Sequence, residues 1–249
     1  MTFEEHGIFI KGTSRQEKTT CPKCSHTRKN KSDQCLSVNV DEGIWHCHHC
    51  GWKGSLNKKV KHLTIPIEKP NPPKTELPEE VYKWFEERCI TRAVVDGERI
   101  GYNNRWIQFP FYKDGEVVNI KSRTADKKFR QTKNAEKCFY RFDSIKGMET
   151  IIITEGEMDA LSLVQSGFMN VVSVPDGATQ PNSKPSDRKF SFLLSAEEHL
   201  MSAETIILCT DSDGAGKHLR DELSRRIGRE KCFRVTYPDG CKDMNDVLI

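Results

Sequence analysis

In the second half of the chain, the pattern of apolar and polar positions switches repeatedly between that of a strand and that of a helix. Short apolar runs begin at Ile151, Val171, Thr205 and Cys232, and polar turns or helix-like segments separate them. Runs of this length predict buried strands, and the segments starting at Asp159 and Lys217 have the spacing of amphipathic helices. Strands alternating with helices predict an α/β layer with a largely parallel sheet.

The middle of the chain has a different pattern. Residues 78–89 predict a short helix with Val81, Trp84 and Phe85 on one face, where they serve as core anchors. Residues 106–111 and 117–123 alternate as strands do, and the turn at 113–115 predicts a hairpin between them. We therefore expect a small mixed sheet before the α/β layer.

The first third is polar, with two short strand-like runs at 35–40 and 43–47. Residues 61–77 are rich in Pro and Lys with little periodicity, as in an extended linker that leaves the flanking parts free to move. The predicted organisation is a small β domain at 1–60, a linker at 61–77, a basic sheet subdomain at 78–146 and an α/β subdomain at 147–249.

Charge is distributed unevenly along the 249 residues, although the formal net charge is only +3. Lys and Arg outnumber Asp and Glu in 1–75 and in 105–146, and the balance reverses from Gly147 onward. Basic regions followed by an acidic one predict a polyanion track beside a carboxylate-rich site. A solvated mixed-charge surface explains each segment alone but not the asymmetry.

The ten cysteines occur without a secretory segment or a transmembrane run. Glu4 and Glu5 also argue against an organellar transit peptide. We expect a cytoplasmic, reducing location with no membrane partner, where paired cysteines bind metal more often than they form disulfides.

Two C-x-x-C pairs in the basic first third predict a metal site. Cys21, Cys24, Cys47 and Cys50 can supply four thiolates to one tetrahedral, structural zinc ion. A redox C-x-x-C is the weaker alternative, because two pairs in so short a module favour a closed metal site. Substitute ligands stay open, and the candidates are His26, Cys35, His46, His48 and His49.

Cations and rings surround these cysteines. Bases stack on aromatic rings and phosphates pair with cations, so the module is suited to single-stranded nucleic acid. The predicted contacts are Lys23, Arg28, Lys29, Trp45, His48, His49 and Trp52.

Acidic residues follow the predicted strands of the α/β part. Glu155, Asp211 and Asp213 come just beyond strand ends, where open α/β sheets place their binding sites. Clustered carboxylates repel one another unless a cation neutralises them, and oxygen ligands favour Mg²⁺ or Mn²⁺. Helix capping is the alternative for a single acidic residue, and it suits Asp159. A phosphate loop at 211–218 fails, because Asp211 replaces its first Gly and His218 its hydroxyl.

The acidic motifs resemble the TOPRIM domain of bacterial-type primases, topoisomerases and some nucleases. The motifs are 154–159 (TEGEMD), 211–214 (DSDG) and Lys242-Asp243. The order of paired cysteines, Pro-rich linker, basic sheet and TOPRIM motifs resembles the primase part of phage replicative primase-helicases, relatives of Twinkle. This resemblance implies an α/β fold with a zinc ribbon and an RNA-polymerase domain whose parts are a basic sheet and a TOPRIM subdomain.

The resemblance also implies site roles. Glu155, Asp211 and Asp213 would bind catalytic Mg²⁺ or Mn²⁺, with support from Asp243, and Glu155 could help to activate the attacking 3′-hydroxyl. Lys121, Arg123 and Lys128 would hold nucleotide phosphates, and Lys121 and Arg123 share one face of a predicted strand. Two features depart from the family: the gap between the cysteine pairs is long, and no helicase motor motif occurs. The apolar ending at 246–249 suggests a fragment of a longer protein.

The function that these features predict is a DNA primase, a DNA-directed RNA polymerase that makes short RNA primers on single-stranded DNA from ribonucleoside triphosphates. A replicative helicase, in cis or in trans, and a DNA polymerase are the expected partners. Two alternatives remain open: a catalytically inactive module that binds single-stranded DNA, and a TOPRIM nuclease.

Overall fold

The computed structural model describes residues 2–10, 12, 14–56, 67–178 and 188–249. The chain divides into two compact units, Met1–Thr64 and Ile65–Ile249. No helix within these described ranges is long and apolar enough to cross a membrane.

The first unit is a four-stranded antiparallel sheet in the order β1-β2-β3-β4. Its small core holds Ile8, Leu36, Val38 and Trp45 next to cysteine side chains. The two strands expected from sequence are present as β2 and β3, each within a residue or two of the predicted bounds. The strands are β1 (Gln16–Thr19), β2 (Leu36–Asn39), β3 (Ile44–Cys47) and β4 (Lys53–Ser55).

The second unit begins with two short helices and a second antiparallel sheet, in the order β5-β6-β7-β8. The predicted hairpin joins β6 to β7, and Asp114 and Gly115 have the positive φ that its tight turn requires. The elements are α1 (Glu79–Glu86), α2 (Arg92–Gly97), β5 (Gly101–Asn103), β6 (Trp106–Lys113), β7 (Glu116–Arg123) and β8 (Phe129–Gln131).

The expected linker falls partly outside the described residues, at 61–66. Residues 67–77 have no regular structure. They contact the antiparallel sheet of their own unit: the Tyr102 N–H donates a hydrogen bond to the Lys74 carbonyl at 3.1 Å, and Lys69 pairs with Glu116. This part of the segment is therefore held against the sheet.

A four-stranded parallel sheet forms the rest of the second unit, in the order β10-β9-β11-β12. It confirms the predicted α/β layer. The elements are β9 (Thr150–Thr154), α3 (Glu157–Gln165), β10 (Val171–Ser173), α4 (Phe192–Ser195), α5 (Glu197–Ser202), β11 (Thr205–Cys209), α6 (Gly214–Ile227), β12 (Cys232–Arg234) and α7 (Met244–Leu248).

One continuous hydrophobic core joins the two sheets of the second unit. Tyr140, 1% exposed, packs edge-on against Phe109 and Phe111, and its backbone bridges Ser173 of β10 in the parallel sheet. This core includes residues from both sides of position 146 in the sequence. The predicted boundary at that position therefore separates two sheets within one folded body.

Parallel pairing of β9 with β11 positions the acidic residues. Thr154 lies opposite Cys209, so the residues that follow both strands emerge at the same edge of the sheet. The next helix, α6, begins at Gly214, three residues earlier than its amphipathic pattern indicates, and Asp213 caps it. Gly214 and Gly216 both lie in its first turn.

Gly216 allows the first turn of α6 to lie against the backbone of Asp211. A Cβ atom on Gly216 would lie 2.2 Å from the Asp211 carbonyl oxygen, which is closer than real carbon and oxygen atoms approach. We expect Gly216→Ala to lower the free energy of unfolding by about 1–3 kcal/mol, because the helix must shift away from Asp211. Urea denaturation followed by circular dichroism measures this change.

The matched control is Gly97→Ala, since Gly97 also lies in a helix but a Cβ atom placed on it would have no atom within 4 Å. That variant should keep its stability or gain up to about 1 kcal/mol. Equal stabilities of the two variants would contradict the steric argument.

Candidate metal centres and phosphate-binding cleft

Four cysteines converge in the first unit. The ligand atoms of Cys21, Cys24, Cys47 and Cys50 all lie within 4.8 Å of one another. The Cys21–Cys50 and Cys24–Cys47 sulfur distances are 3.8 and 3.7 Å. A tetrahedral ion with bonds of about 2.3 Å needs sulfur separations of about 3.8 Å, so the set could hold a zinc ion. Away from this part of the first unit, no group of His, Cys, Asp or Glu side chains among the described residues is so tightly clustered.

The substitute ligands that the sequence left open lie outside this set. His26, His46, His48 and His49 are exposed, and the His48 Nε2 atom lies 2.9 Å from the Ser37 Oγ atom. The Cys35 Sγ atom lies close by, 3.7 Å from that of Cys47 and 4.0 Å from that of Cys24. A fifth thiol therefore borders a complete four-thiol site.

The predicted nucleic-acid contacts of this unit divide by exposure. The exposed side chains are Lys23, Lys29, His48 and His49, and Trp52 is half-buried. Trp45 is only 5% exposed and packs against Phe3 and Trp52, so its assignment as a base-stacking residue is corrected to a core residue. Arg28 forms an ion pair with Asp33 at 2.5 Å, which lessens its availability to phosphate.

Glu155 and Asp211 meet at the carboxyl edge of the parallel sheet. One Glu155 carboxylate oxygen accepts a hydrogen bond from the Asp211 N–H at 3.3 Å, and the other accepts one from the Ala178 N–H at 3.2 Å. Burial raises the pKa of Glu155 above its ordinary value despite these two donors. The two sequence-predicted carboxylates are thus side by side and held by backbone.

Two aspartates at this edge have strongly raised pKa values. Burial, reinforced by the nearby charges of Glu155 and Asp243, raises the pKa of Asp211 to about 7. Burial, then the charges of Asp243 and Asp211, raises the pKa of Asp159 to about 8. Carboxyl groups crowded in this way favour either protonation or a bound cation.

Asp159 has a different position from the one expected. Helix α3 begins at Glu157 after Gly156, so Asp159 lies inside its first turn and does not cap it. The Asp159 side chain accepts a hydrogen bond from the Met244 N–H at 3.1 Å, which ties α3 to the start of α7. The capping interpretation of Asp159 is therefore wrong, and the residue belongs to the acidic cluster.

Helix capping instead engages Asp213 and Asp243. The Gly216 N–H donates to Asp213 at 2.8 Å, and the Asp246 N–H donates to Asp243 at 2.8 Å. Asp243 lines the cleft described next, whereas Asp213 is exposed beside it. Mg²⁺ usually keeps several waters and takes one or two carboxylates, so the oxygen donors of this edge suit such an ion without a closed cage.

A cavity of about 580 Å³ separates this acidic edge from the antiparallel sheet. Cations line the opposite wall, and Lys121 and Arg123 are there as the sequence predicted. Lys128 is not among the lining residues; it is exposed and pairs with Asp126 at 3.1 Å. Lys127 lines the cavity in its place. The acidic side chains that line it are Glu155, Glu157, Asp159, Asp176, Asp211, Asp243 and Asp246.

Arg123 has an unused buried donor. Its Nε atom has no hydrogen-bond partner among the described residues, although its guanidinium lies 5.0 Å from the Trp84 ring centroid. Arg88 lies over the same ring at 3.9 Å. Burial, and then the charge of Arg88, lowers the pKa of Arg123. Two neighbouring guanidinium groups with a donor to spare fit an anionic ligand such as phosphate.

A buried ion pair connects the two walls of the cleft. The Lys121 Nζ atom lies 2.8 Å from a Glu157 carboxylate oxygen, and both side chains are almost fully buried. Lys121 on β7 and Glu157 on α3 thereby fix the antiparallel sheet against the acidic edge. Much of the Lys121 charge is neutralised by this contact, which leaves Arg123 as the cation less committed to protein partners.

Sequence reasoning missed several residues of the cleft, among them Arg88, Lys127 and Asp159. Asp159 follows Glu155 by four residues, but Glu155 precedes α3, so this spacing gives no helical-face signal that links the two. Arg88 follows Trp84 by four residues, which is only a weak signal of a ring–cation pair. Nothing in the local sequence distinguishes Lys127 from Lys128.

Comparisons with known proteins agree with this architecture. Residues 149–237 match the family described as "Toprim domain". The chain is 33% identical to the Primase homolog protein of Arabidopsis thaliana, over 92% of the chain and 76% of the relative. It is 31% identical to the Twinkle homolog protein, chloroplastic/mitochondrial, of the same plant, again over 92% of the chain, but it spans only 36% of that relative's length.

Among solved structures, the crystal structure of the primase fragment of the bacteriophage T7 primase-helicase protein resembles this fold. The TM-score is 0.56 at 22% identity, over 92% of each chain. At that identity the likeness shows the fold.

Removing one member of the buried ion pair should destabilise the second unit. In Glu157→Ala the Lys121 ammonium loses its partner while it stays buried, and we expect the free energy of unfolding to fall by about 3–5 kcal/mol. The control Lys128→Ala breaks an exposed pair and should cost about 0–1 kcal/mol. Urea denaturation of both variants measures the difference, and similar losses would contradict the buried role of the pair.

Stability without metal should depend on the charge of Asp159. Its folded pKa of about 8 exceeds the ordinary 3.8, so the folded state binds more protons than the unfolded state between these values. The contribution of the Asp159 carboxyl to the free energy of unfolding is most favourable below about pH 4, where the carboxyl is protonated in both states. It becomes less favourable as the pH rises to about 8, because the unfolded state loses its proton first. Asp159→Asn keeps the acceptor for Met244 and removes the charge.

We therefore expect Asp159→Asn to melt at a higher temperature than the unchanged protein at about pH 8 in chelator and at the same temperature at about pH 4. Adding Mg²⁺ at the higher pH should raise the melting temperature of the unchanged protein more than that of the variant. Thermal unfolding followed by circular dichroism measures both effects, and two parallel pH curves would contradict the raised pKa.

Proposed function

The chain belongs to the family of primase and Twinkle homologs that contain a Toprim domain, and from that premise we propose that it is a DNA primase. It would act as a DNA-directed RNA polymerase that joins ribonucleoside triphosphates into short primers on single-stranded DNA. The proposal rests on one observation above all. A single cavity has a cationic wall on the antiparallel sheet and an acidic wall at the carboxyl edge of the parallel sheet.

The cationic wall is suited to the triphosphate. Arg123 has a buried Nε donor without a partner in the described structure, and Arg88 lies beside it against Trp84. Guanidinium groups bind phosphate oxygens through paired hydrogen bonds, which would orient the incoming nucleotide and neutralise its charge. Lys127 lines the same cavity and would add a further cation.

The acidic wall is suited to divalent cations. Glu155, Asp211 and Asp243 would hold Mg²⁺ or Mn²⁺, with Asp159 behind them and Asp213 shaping the loop as the cap of α6. Bound ions of this kind would stabilise charge on the attacking and leaving oxygens of an in-line phosphoryl displacement. Glu155 is held by two backbone donors, so its carboxylate is oriented before substrate arrives.

A second cavity of about 590 Å³ offers a place for the template. It shares Lys121, Phe129, Gln131 and Asp176 with the first cavity and adds the cations Arg130, Lys137 and Arg188. The Phe129 ring is 55% exposed, which leaves a face for a base to stack on. Cations that track a backbone, with aromatic rings between them, are a common arrangement for single-stranded nucleic acid.

The four-cysteine site would hold structural zinc and fix the ribbon surface. The exposed Lys23, Lys29, His48 and His49 would then contact the template start site, with Trp52 at the edge of the same unit. The related T7 fragment belongs to a primase-helicase, so a replicative helicase is the partner that we propose first, and a DNA polymerase is the expected user of the primers.

Primer synthesis in vitro tests this proposal. The protein, single-stranded templates of varied sequence, labelled ribonucleotides and Mg²⁺ or Mn²⁺ should give short RNA products. Asp211→Asn should abolish them, because it removes a metal-binding charge. Arg123→Gln should lower kcat/KM for ribonucleotide by about 10- to 100-fold, the equivalent of about 1.5–3 kcal/mol for a charged hydrogen bond. Lys128→Gln, whose side chain lies outside the cavity lining, is the matched control and should retain activity.

Other outcomes would identify the alternatives. Degraded template without RNA product would indicate a Toprim nuclease. Template binding without any chemistry in the unchanged protein would indicate an inactive DNA-binding module. Equal losses in Arg123→Gln and Lys128→Gln would contradict the assignment of the cationic wall.

A further inference from the structure

A fifth thiol borders the four-cysteine site of the first unit. Cys35 lies directly before β2, and its carbonyl accepts a hydrogen bond from the His48 N–H at 2.9 Å. This backbone contact fixes Cys35 next to β3, and its Sγ atom lies 3.7 Å from that of Cys47. The distance equals the 3.7 Å that separates Cys24 and Cys47, which are both in the ligand set.

Cys35 has no place in the ligand set that it borders. Four mutually close thiols already complete a tetrahedral zinc site, and Cys35 is not among them. Its side chain is half-buried, so small solutes can reach it, whereas Cys47 is fully buried. Partly exposed cysteines are the ones that oxidants reach.

We propose that Cys35 is a peroxide-modification site that forms a disulfide with Cys47 and thereby releases the zinc of the ribbon. The proposal goes beyond primer synthesis and uses only the zinc site from the preceding section. Cys47 is the partner because its sulfur is nearer than that of Cys24, at 3.7 against 4.0 Å.

The chemistry needs one equivalent of hydrogen peroxide. The Cys35 sulfur attacks a peroxide oxygen, the O–O bond breaks, and the products are a sulfenic acid on Cys35 and water. The Cys47 sulfur then attacks the Cys35 sulfur, the S–S bond forms, and a second water leaves after proton uptake. Two thiols have lost two electrons to the peroxide, and one thiolate has been removed from the four-thiol set.

Losing that ligand would affect the whole ribbon. Its core is small, and Cys21, Cys24 and Cys47 are themselves among the core residues. In domains of this size the metal supplies much of the folding free energy, so a three-thiol site would bind zinc weakly and the sheet would loosen. Thiol reductants together with zinc should restore the closed site.

Zinc release and disulfide mapping test this proposal in the intact chain. Zinc-loaded protein is treated with hydrogen peroxide, released zinc is followed with a chromogenic chelator, and disulfides are located by peptide mass mapping without reduction. We expect the unchanged protein to release its zinc and to form the Cys35–Cys47 disulfide. Cys35→Ser should start with the same zinc content, release it several-fold more slowly and lack that disulfide.

Cys89→Ser is the matched control, because Cys89 is an exposed cysteine of the second unit and its loss should leave the release rate unchanged. Equal release rates in Cys35→Ser and the unchanged protein would overturn the proposal. So would disulfides confined to ligand pairs such as Cys21–Cys50, or a Cys35→Ser protein that binds no zinc, which would make Cys35 a ligand. A zinc content near zero in the untreated, unchanged protein would overturn the zinc site itself, independently of any result on primer synthesis.

Discussion

The parallel pairing of β9 with β11 is the constraint on which the candidate active site depends. The register that sets Thr154 opposite Cys209 delivers Glu155 and Asp211 to one edge of the sheet, where they are in contact although 56 residues separate them in sequence. Backbone N–H groups then hold the Glu155 carboxylate in place. This arrangement of acids is unfavourable by itself, because burial first and neighbouring carboxylates second raise the pKa values of Asp159 and Asp211.

Acidic and basic side chains line opposite walls of the cleft, and this separation of charge determines which ligands each wall can attract. Carboxylates on one wall would attract cations, while guanidinium groups on the other would attract phosphate. The buried pair of Lys121 and Glu157 joins the walls, so a residue that sequence assigned to phosphate binding also holds the two sheets together. Arg123 is different, because its buried Nε donor lacks a protein partner in the described structure.

The first unit has a much smaller apolar core than the second. Its sheet is small and its apolar core is sparse, so a four-thiol metal site would replace part of the packing that a larger domain obtains from side chains. Because part of its stability would come from the metal site, the ribbon would be sensitive to the oxidation of its cysteine sulfurs. Cys35 lies within reach of two of them, and this proximity links the metal site to oxidants.

The sequence by itself determined the features that short-range patterns encode. Strand and helix periods, the two cysteine pairs and the acidic residues after strand ends depend on neighbours along the chain. These patterns put Glu155 and Asp211 just beyond strand ends, where the structure has them. Tertiary structure alone decided which side chains face the cleft. It brought Asp159 into the acidic cluster, made Asp213 a helix cap and buried Trp45. Burial and side-chain direction depend on which elements pack together, and no local spacing specifies that packing.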